Sequence, residues 1–172
     1  MLRPGGAAFL DRDGTINVKA PEGAYVERPE DLVLLPGAAQ AIRSLNDAAI
    51  PVVVVTNQRG IALGRMDEVD LAAIHVRLVD LLDREAGAAV DDILHCPHDR
   101  GPCGCRKPAP GLLLAAAQRH PHIELGRSVV IGDRPSDVEA GAAAGVPGLL
   151  LGRDAEDLAH AVQHLLAPVS AI

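Results

Sequence analysis

The chain has 172 residues, enough for one domain, and 48% are hydrophobic, yet Phe9 and Tyr25 are its only Phe and Tyr and it has no Trp. Its formal net charge of −7 argues against nonspecific binding to nucleic acid or to an anionic membrane. Residues 1–6 lack the apolar core of a secretory leader, and Val52 to Val55 is far too short to span a bilayer, so a soluble cytoplasmic protein is expected.

In chain order, Ala7 to Leu10 predicts a short strand that stops at Asp11. The stretch from Val18 to Pro29 contains Gly and Pro, has little periodicity and reads as a loop. Pro36-Gly37 opens a helix with Ala38, Ile42 and Leu45 on one face. The β-branched run Pro51 to Val55 predicts a strand ending at Thr56, and Met66 to Arg84 a helix with Leu71, Ile74, Leu78 and Leu81 in phase. Ile93 and Leu94 suggest a short strand before Cys96, and Pro110-Gly111 opens a helix through His120. Ser128 to Ile131 is a further strand, followed by a helix over Ser136 to Ala144. Gly148 to Leu151 is the last strand, and Ala155 to Leu166 a helix with Leu158, Val162 and Leu165 in phase. This alternation predicts a three-layer, Rossmann-like α/β domain over residues 1–172, a parallel sheet with helices on both faces.

Three of these strands run from apolar residues straight into Asp11, Thr56 and Asp133. Open parallel sheets bind ligands beyond the carboxyl ends of their strands, so these groups are expected to converge on one edge. Gly14 permits a turn that swings Asp13 toward Asp11. Two carboxylates so close repel unless a cation or a proton intervenes, which points to a hard divalent cation such as Mg²⁺ and to proton shuttling by one of them. Thr56, Asn57 and Gln58 offer a hydroxyl, amides and backbone N–H groups suited to phosphoryl oxygens. Arg106 and Lys107 supply charge for a phosphate. In Gly132-Asp133-Arg134-Pro135-Ser136-Asp137, Asp133 can complete a metal site, while Asp137 can either hold Lys107 or Arg134 or cap the next helix.

All three cysteines, Cys96, Cys103 and Cys105, fall within ten residues, an arrangement that disfavours a disulfide framework. With His98 they form a C-x-H-x4-C-x-C pattern, the donor set of a closed structural Zn²⁺ site. His95 is a rival for the imidazole position, and the Cys-x-His, Cys-x-Cys symmetry favours His98. The loop leads directly into Arg106-Lys107 and is expected to place both cations over the sheet edge. His75, His120, His122, His160 and His164 read as surface or packing residues.

The joint order of FLDRDGTIN, VVVVTNQRGIALG, CPHDRGPCGCRKPAPG and IGDRPSD resembles the haloacid dehalogenase (HAD) superfamily, in its phosphatase branch without a large cap domain. The resemblance covers essentially the whole chain. It implies an HAD-like fold, Asp11 as the nucleophile of an aspartyl-phosphate intermediate and Asp13 as general acid and base. It implies Mg²⁺ held by Asp11, the Asp13 backbone carbonyl and Asp133. Thr56 and Lys107 would then stabilise equatorial oxygens, with Arg106 and Arg134 on the substrate or its second phosphate. The substrate expected on this basis is a small phosphorylated metabolite, a sugar bisphosphate or alternatively histidinol phosphate, handled by a monomer. With no room for a cap, the Val18 to Pro29 loop and the cysteine loop are expected to wall the site.

Two other readings are weaker. A phosphate-accepting receiver domain places its phosphate-accepting Asp on a later strand than its acidic pair, whereas Asp11 and Asp13 share one strand tip. A zinc-ribbon nucleic-acid module conflicts with the charge of −7 and the scarcity of aromatics.

Overall fold

The computed structural model describes residues 2–167, so residue 1 and residues 168–172 of the expected 1–172 domain lie outside the described residues. Ten main elements alternate: β1 (Ala8–Leu10), α1 (Ala38–Asp47), β2 (Val52–Asn57), α2 (Glu68–Ala86), β3 (Asp92–Cys96), α3 (Gly111–Arg119), β4 (Val129–Gly132), α4 (Pro135–Ala143), β5 (Gly148–Leu150) and α5 (Leu158–Leu166). The strands form one sheet in the order β3-β2-β1-β4-β5, with every pairing parallel. No described helix is long and apolar enough to cross a membrane.

The pleat divides the core in two, because successive strand residues face opposite sides of a sheet. Ala8, Leu10, Val52, Val54, Val129 and Ile131 face a layer formed by α1, α2 and α5. Phe9, Val53, Val55 and Val130 face α3 and α4 through Leu112, Leu113, Ala116 and Ala140. With both faces covered, the central strands are apolar throughout, and Val52 to Val55 are all fully buried.

Several boundaries differ from expectation for local reasons. Asp67 caps α2, its Oδ1 accepting from the Val69 and Asp70 amides at 2.8 and 2.9 Å, so the helix starts after Met66. Asp157 caps α5 in the same way through the His160 amide at 2.8 Å, which moves its start from Ala155 to Leu158. The α2 stripe is completed by Leu82, fully buried, while Leu81 is only partly covered. The 3.6-residue period favours a step of four after Leu78. Both β2 and β3 run further than expected, to Asn57 and Cys96, and these two residues pair in register. That extension brings Thr56, Asn57 and the first cysteine to the carboxyl edge as part of the rigid sheet.

Leu78 is fully buried in the centre of the α1/α2/α5 layer. Leu78→Ala is expected to lower unfolding free energy by about 2–5 kcal/mol in urea titration, with the denaturant slope unchanged.

Candidate active site

β1 and β4 lie side by side with Leu10 opposite Ile131, so the residues that follow them leave the sheet together. The Asp11 amide still donates to the Ile131 carbonyl at 3.0 Å, which fixes the Asp11 side chain over the edge. Asp11, Asp133 and Asp137 bring carboxylate oxygens within 4.8 Å of one another. Two glycines make this crowding possible. A Cβ on Gly14, where φ is +93°, would overlap the Asp133 carboxylate, and one on Gly132 would overlap that of Asp137.

Lys107 sits in the midst of these acids, 4% exposed. Its ammonium lies 2.7 Å from Asp11 Oδ1, 2.6 Å from Asp137 Oδ1 and 2.7 Å from the Val55 carbonyl oxygen. Burial alone would push this ammonium toward neutrality, but the two carboxylates outweigh it and raise its pKa. Burial pushes the Asp11 carboxyl up to about 6, against the pull of Lys107. Asp137 fills both roles foreseen for it. One oxygen holds Lys107, and the other accepts from the Arg134 amide at 2.9 Å at the start of α4.

Asp13 has a different environment. Burial would raise its pKa, yet the Arg12 guanidinium and hydrogen bonds from Asn17 and Gln58 hold it lowered. Arg12 Nη2 donates to both Asp13 oxygens at 3.0 Å, Asn17 Nδ2 donates at 2.9 Å and Gln58 Nε2 at 2.9 Å. Arg12 itself is fully buried. The Arg12, Asn17 and Gln58 groups all donate, so the carboxylate in this pose is ionised and oriented.

Thr56 is placed as expected, buried against the cavity, with its Oγ accepting from Gln58 Nε2 at 2.9 Å and its hydroxyl proton left to donate. The side-chain amides of Asn57 and Gln58 are engaged within the protein. The Asn57 amide brackets the Lys107 backbone, donating to its carbonyl at 3.0 Å and accepting from its N–H at 3.1 Å. Gln58 is spent on Asp13 and Thr56. Arg12, Asn17 and Lys19 were missed by the sequence reading. Arg12 lies between two acids and Asn17 four residues after Asp13, a spacing that could have suggested a shared turn. Lys19 approaches Asp133 from 114 residues away, which no local signal marks.

The cysteine loop gathers as expected. Cys96, His98, Cys103 and Cys105 bring their donors together, with Sγ–Sγ distances of 3.6 and 3.7 Å and Sγ–Nδ1 distances of 3.4 and 3.2 Å. A tetrahedral ion with bonds of about 2.0–2.3 Å has ligand edges of about 3.3–3.8 Å, close to the spacing of these donors, so the set fits Zn²⁺. His95 instead bonds Glu68 at 2.9 Å and is not among the gathered donors. The Arg106 amide donates to Cys103 Sγ at 3.2 Å, tying the cluster to the residue before Lys107.

A cavity of about 740 Å³ opens above Asp11, walled by residues 19–26 and by Arg100 and Arg106 from the cysteine loop. Lys19, Arg59, Arg100, Arg106 and Arg134 all line it.

The family model for haloacid dehalogenase-like hydrolases matches residues 3–145. The chain belongs to this family. The sheet, the acid pair at its central strand and the buried lysine are therefore those of a haloacid dehalogenase-like hydrolase. A D-glycero-beta-D-manno-heptose-1,7-bisphosphate 7-phosphatase of Rhodopseudomonas palustris is 46% identical over 150 residues, covering 83% of this chain and 81% of the relative. A D-glycero-alpha-D-manno-heptose-1,7-bisphosphate 7-phosphatase of Mycobacterium tuberculosis is 46% identical, covering 76% and 68%. The crystal structure of D,D-heptose 1,7-bisphosphate phosphatase from B. bronchiseptica, complexed with magnesium and phosphate, superposes with a TM-score of 0.85 at 35% identity, covering 94% of this chain and 98% of that one.

His75, on α2, faces this hydrolase site from behind. Burial, and next the charge of Arg12, push its pKa from 6.5 down to about 3. The unfolded chain takes up this proton near pH 6.5, whereas the folded one resists it until about pH 3, so stability falls as pH falls through that window. Between pH 7.5 and 5 the wild type is expected to lose up to about 2 kcal/mol more unfolding free energy than His75→Gln, read by urea titration at each pH.

Proposed function

We propose that this chain is a Mg²⁺-dependent phosphatase that removes the 7-phosphate of D-glycero-D-manno-heptose 1,7-bisphosphate through an aspartyl-phosphate on Asp11. The observation that carries the reading is the Lys107 ammonium held between Asp11 and Asp137 at the mouth of a cation-rich cavity. The relatives named for this activity, at 46% identity, supply the substrate.

The cation's donor set would be Asp11, Asp133 and the Asp13 carbonyl. Asp133 Oδ1 is buried without a hydrogen-bond partner and lies in the same acidic cluster, which suits an oxygen-seeking ion. When bound, Mg²⁺ would neutralise charge on the nucleophile and the transferred phosphoryl group. Asp11, aligned by Lys107, attacks phosphorus in line, and the P–O bond to the sugar breaks as Asp13 gives its proton to the leaving alkoxide. Asp13 then takes a proton from water, whose oxygen attacks phosphorus and breaks the bond to Asp11. The donors around Asp13 favour the ionised pose, which is the one the second step needs. The Thr56 hydroxyl and Lys107 ammonium would donate to the equatorial oxygens.

Arg106 and Arg134 would take the distal phosphate. The cations lining the cavity favour a dianionic tail over the cationic tail of histidinol phosphate. The cysteine cluster would hold Zn²⁺ as a structural ion. We read the chain as one catalytic domain, monomeric and cytoplasmic. Cysteines gathered for a metal rather than paired suit a reducing compartment.

The deciding assay is phosphate release with Mg²⁺ from the heptose bisphosphate anomers, histidinol phosphate and common sugar phosphates. Fastest turnover of a heptose bisphosphate is expected, and preference for histidinol phosphate would overturn the substrate. Asp11→Asn should abolish turnover, by at least about 10³-fold. Asp13→Asn should slow it by about 10²–10⁴-fold. Stripping Zn²⁺ with a chelator, then restoring Mg²⁺, should lower kcat while leaving Asp11 in place. Unchanged kcat with an intact circular dichroism spectrum would break the link between the cysteine loop and Lys107.

A further inference from the structure

The far half of the Val18 to Pro29 loop is anchored by Val26, buried in the core, and by Glu27, paired with Arg65 at 2.9 Å. Its start is held over the cavity by a contact that the reaction itself does not require. Lys19 Nζ lies 2.7 Å from Asp133 Oδ2, although the lysine side chain is 56% exposed and that of Asp133 only 10%. Lys107 answers Asp11 and Asp137 but makes no ion pair with Asp133, whose single ion-pair partner among the described residues is Lys19. Asp133 Oδ1 is buried with no hydrogen-bond donor. The loop that follows Lys19 forms a wall of the cavity through Tyr25 and Val26.

We propose that Lys19 is a displaceable counter-ion at the divalent cation site, so that loading the cation frees the start of the loop that walls the substrate cavity. The claim rests on the cation site assigned above to Asp11 and Asp133. Its physical basis is competition for one carboxylate. A divalent ion bound to Asp133 and an ammonium 2.7 Å from the same carboxylate repel each other, although water reaches the lysine side of the pair. Three carboxylates facing Lys107 and Lys19 carry a net charge of −1, and adding a divalent cation without expelling Lys19 would reverse that sign. With the ammonium expelled, the site reaches neutrality. The lysine is largely exposed and sits at the start of an irregular segment, so it can leave without disturbing the core. Once released, its charge faces a cavity built for an anion, which orders the events: cation first, then loop and substrate.

The test exploits composition. Tyr25 lies in the same loop and is the only Tyr in a chain without Trp, so its emission reports on that loop alone. Mg²⁺ is titrated into wild type, Lys19→Met and Lys19→Arg, with affinity read by calorimetry and the loop by Tyr25 fluorescence. Lys19→Met is expected to bind Mg²⁺ about two- to fivefold more tightly than wild type, the scale of one partly exposed ion pair. Its Tyr25 emission should already match the Mg²⁺-loaded wild type and change little on titration. Lys19→Arg, which keeps the charge, should stay near wild type. Equal or weaker Mg²⁺ affinity in Lys19→Met, or a Tyr25 response like that of wild type, would overturn the proposal. Asp133→Asn separates the two levels of the argument. Loss of Mg²⁺ binding in this variant supports the cation site, and retained affinity would sink that assignment and the role of Lys19 with it.

Discussion

One buried ammonium makes the rest of the site possible. Asp11, Asp133 and Asp137 converge because the chain leaves the parallel sheet at the same edge after β1 and after β4, and ionised carboxylates brought that close repel one another. Lys107 offsets two of them directly, and its third contact goes to a strand carbonyl rather than to water. The arrangement is reciprocal. Without its acids a lysine this buried would lose its charge, and without the lysine two buried carboxylates would take up protons or separate. The lysine is also held by its backbone, clamped by Asn57 at the end of β2. Nucleophile, cation and sheet therefore form one rigid unit.

The same edge keeps its two leading carboxylates in opposite environments. Asp11 faces burial that pushes it up to about 6, while Asp13 sits among donors that hold it lowered. If Asp11 is the nucleophile proposed, a bound cation would ionise it fully, and cation loading and nucleophile activation would coincide. In the proposed reaction Asp13 would alternate between acid and base, and its crowd of donors favours the base. The proton it would give in the first step is matched by the one it would take from water in the second.

How far this could be read from the sequence depends on whether position or direction carried the information. Asp11, Thr56 and Asp133 were legible because apolar runs stop at them, and parallel strands end on a common edge. The cysteine cluster was legible because its donors are local. Asn57 and Gln58 were legible in position but not in the protein partners of their side chains, whose amides turn toward Lys107 and toward Asp13 and Thr56. No pattern in a strand end says which way an amide points. Asp137 stayed open because one carboxylate has two oxygens and uses them for the cap and for the lysine. Lys19 was invisible, as its partner is distant in sequence and its own segment has no period.

The absence of an inserted cap among the described residues shifts specificity to two loops, and each is tied to a cation centre. Lys19 links one wall to Asp133, and the other wall is the cysteine loop itself. Arg59 adds a cross-tie, its guanidinium bonding Asp99 between His98 and Cys103 while also lining the cavity. The substrate-side loop packs through Val26, which is buried in the core, but the rest of its dozen irregular residues is mostly exposed. Fastening both walls to charged or metal-binding groups adds order, and with ions bound as proposed the shape of the cavity would depend on them. In a small enzyme of this architecture, substrate selection and metal occupancy are then two readings of the same electrostatics rather than separate layers of design.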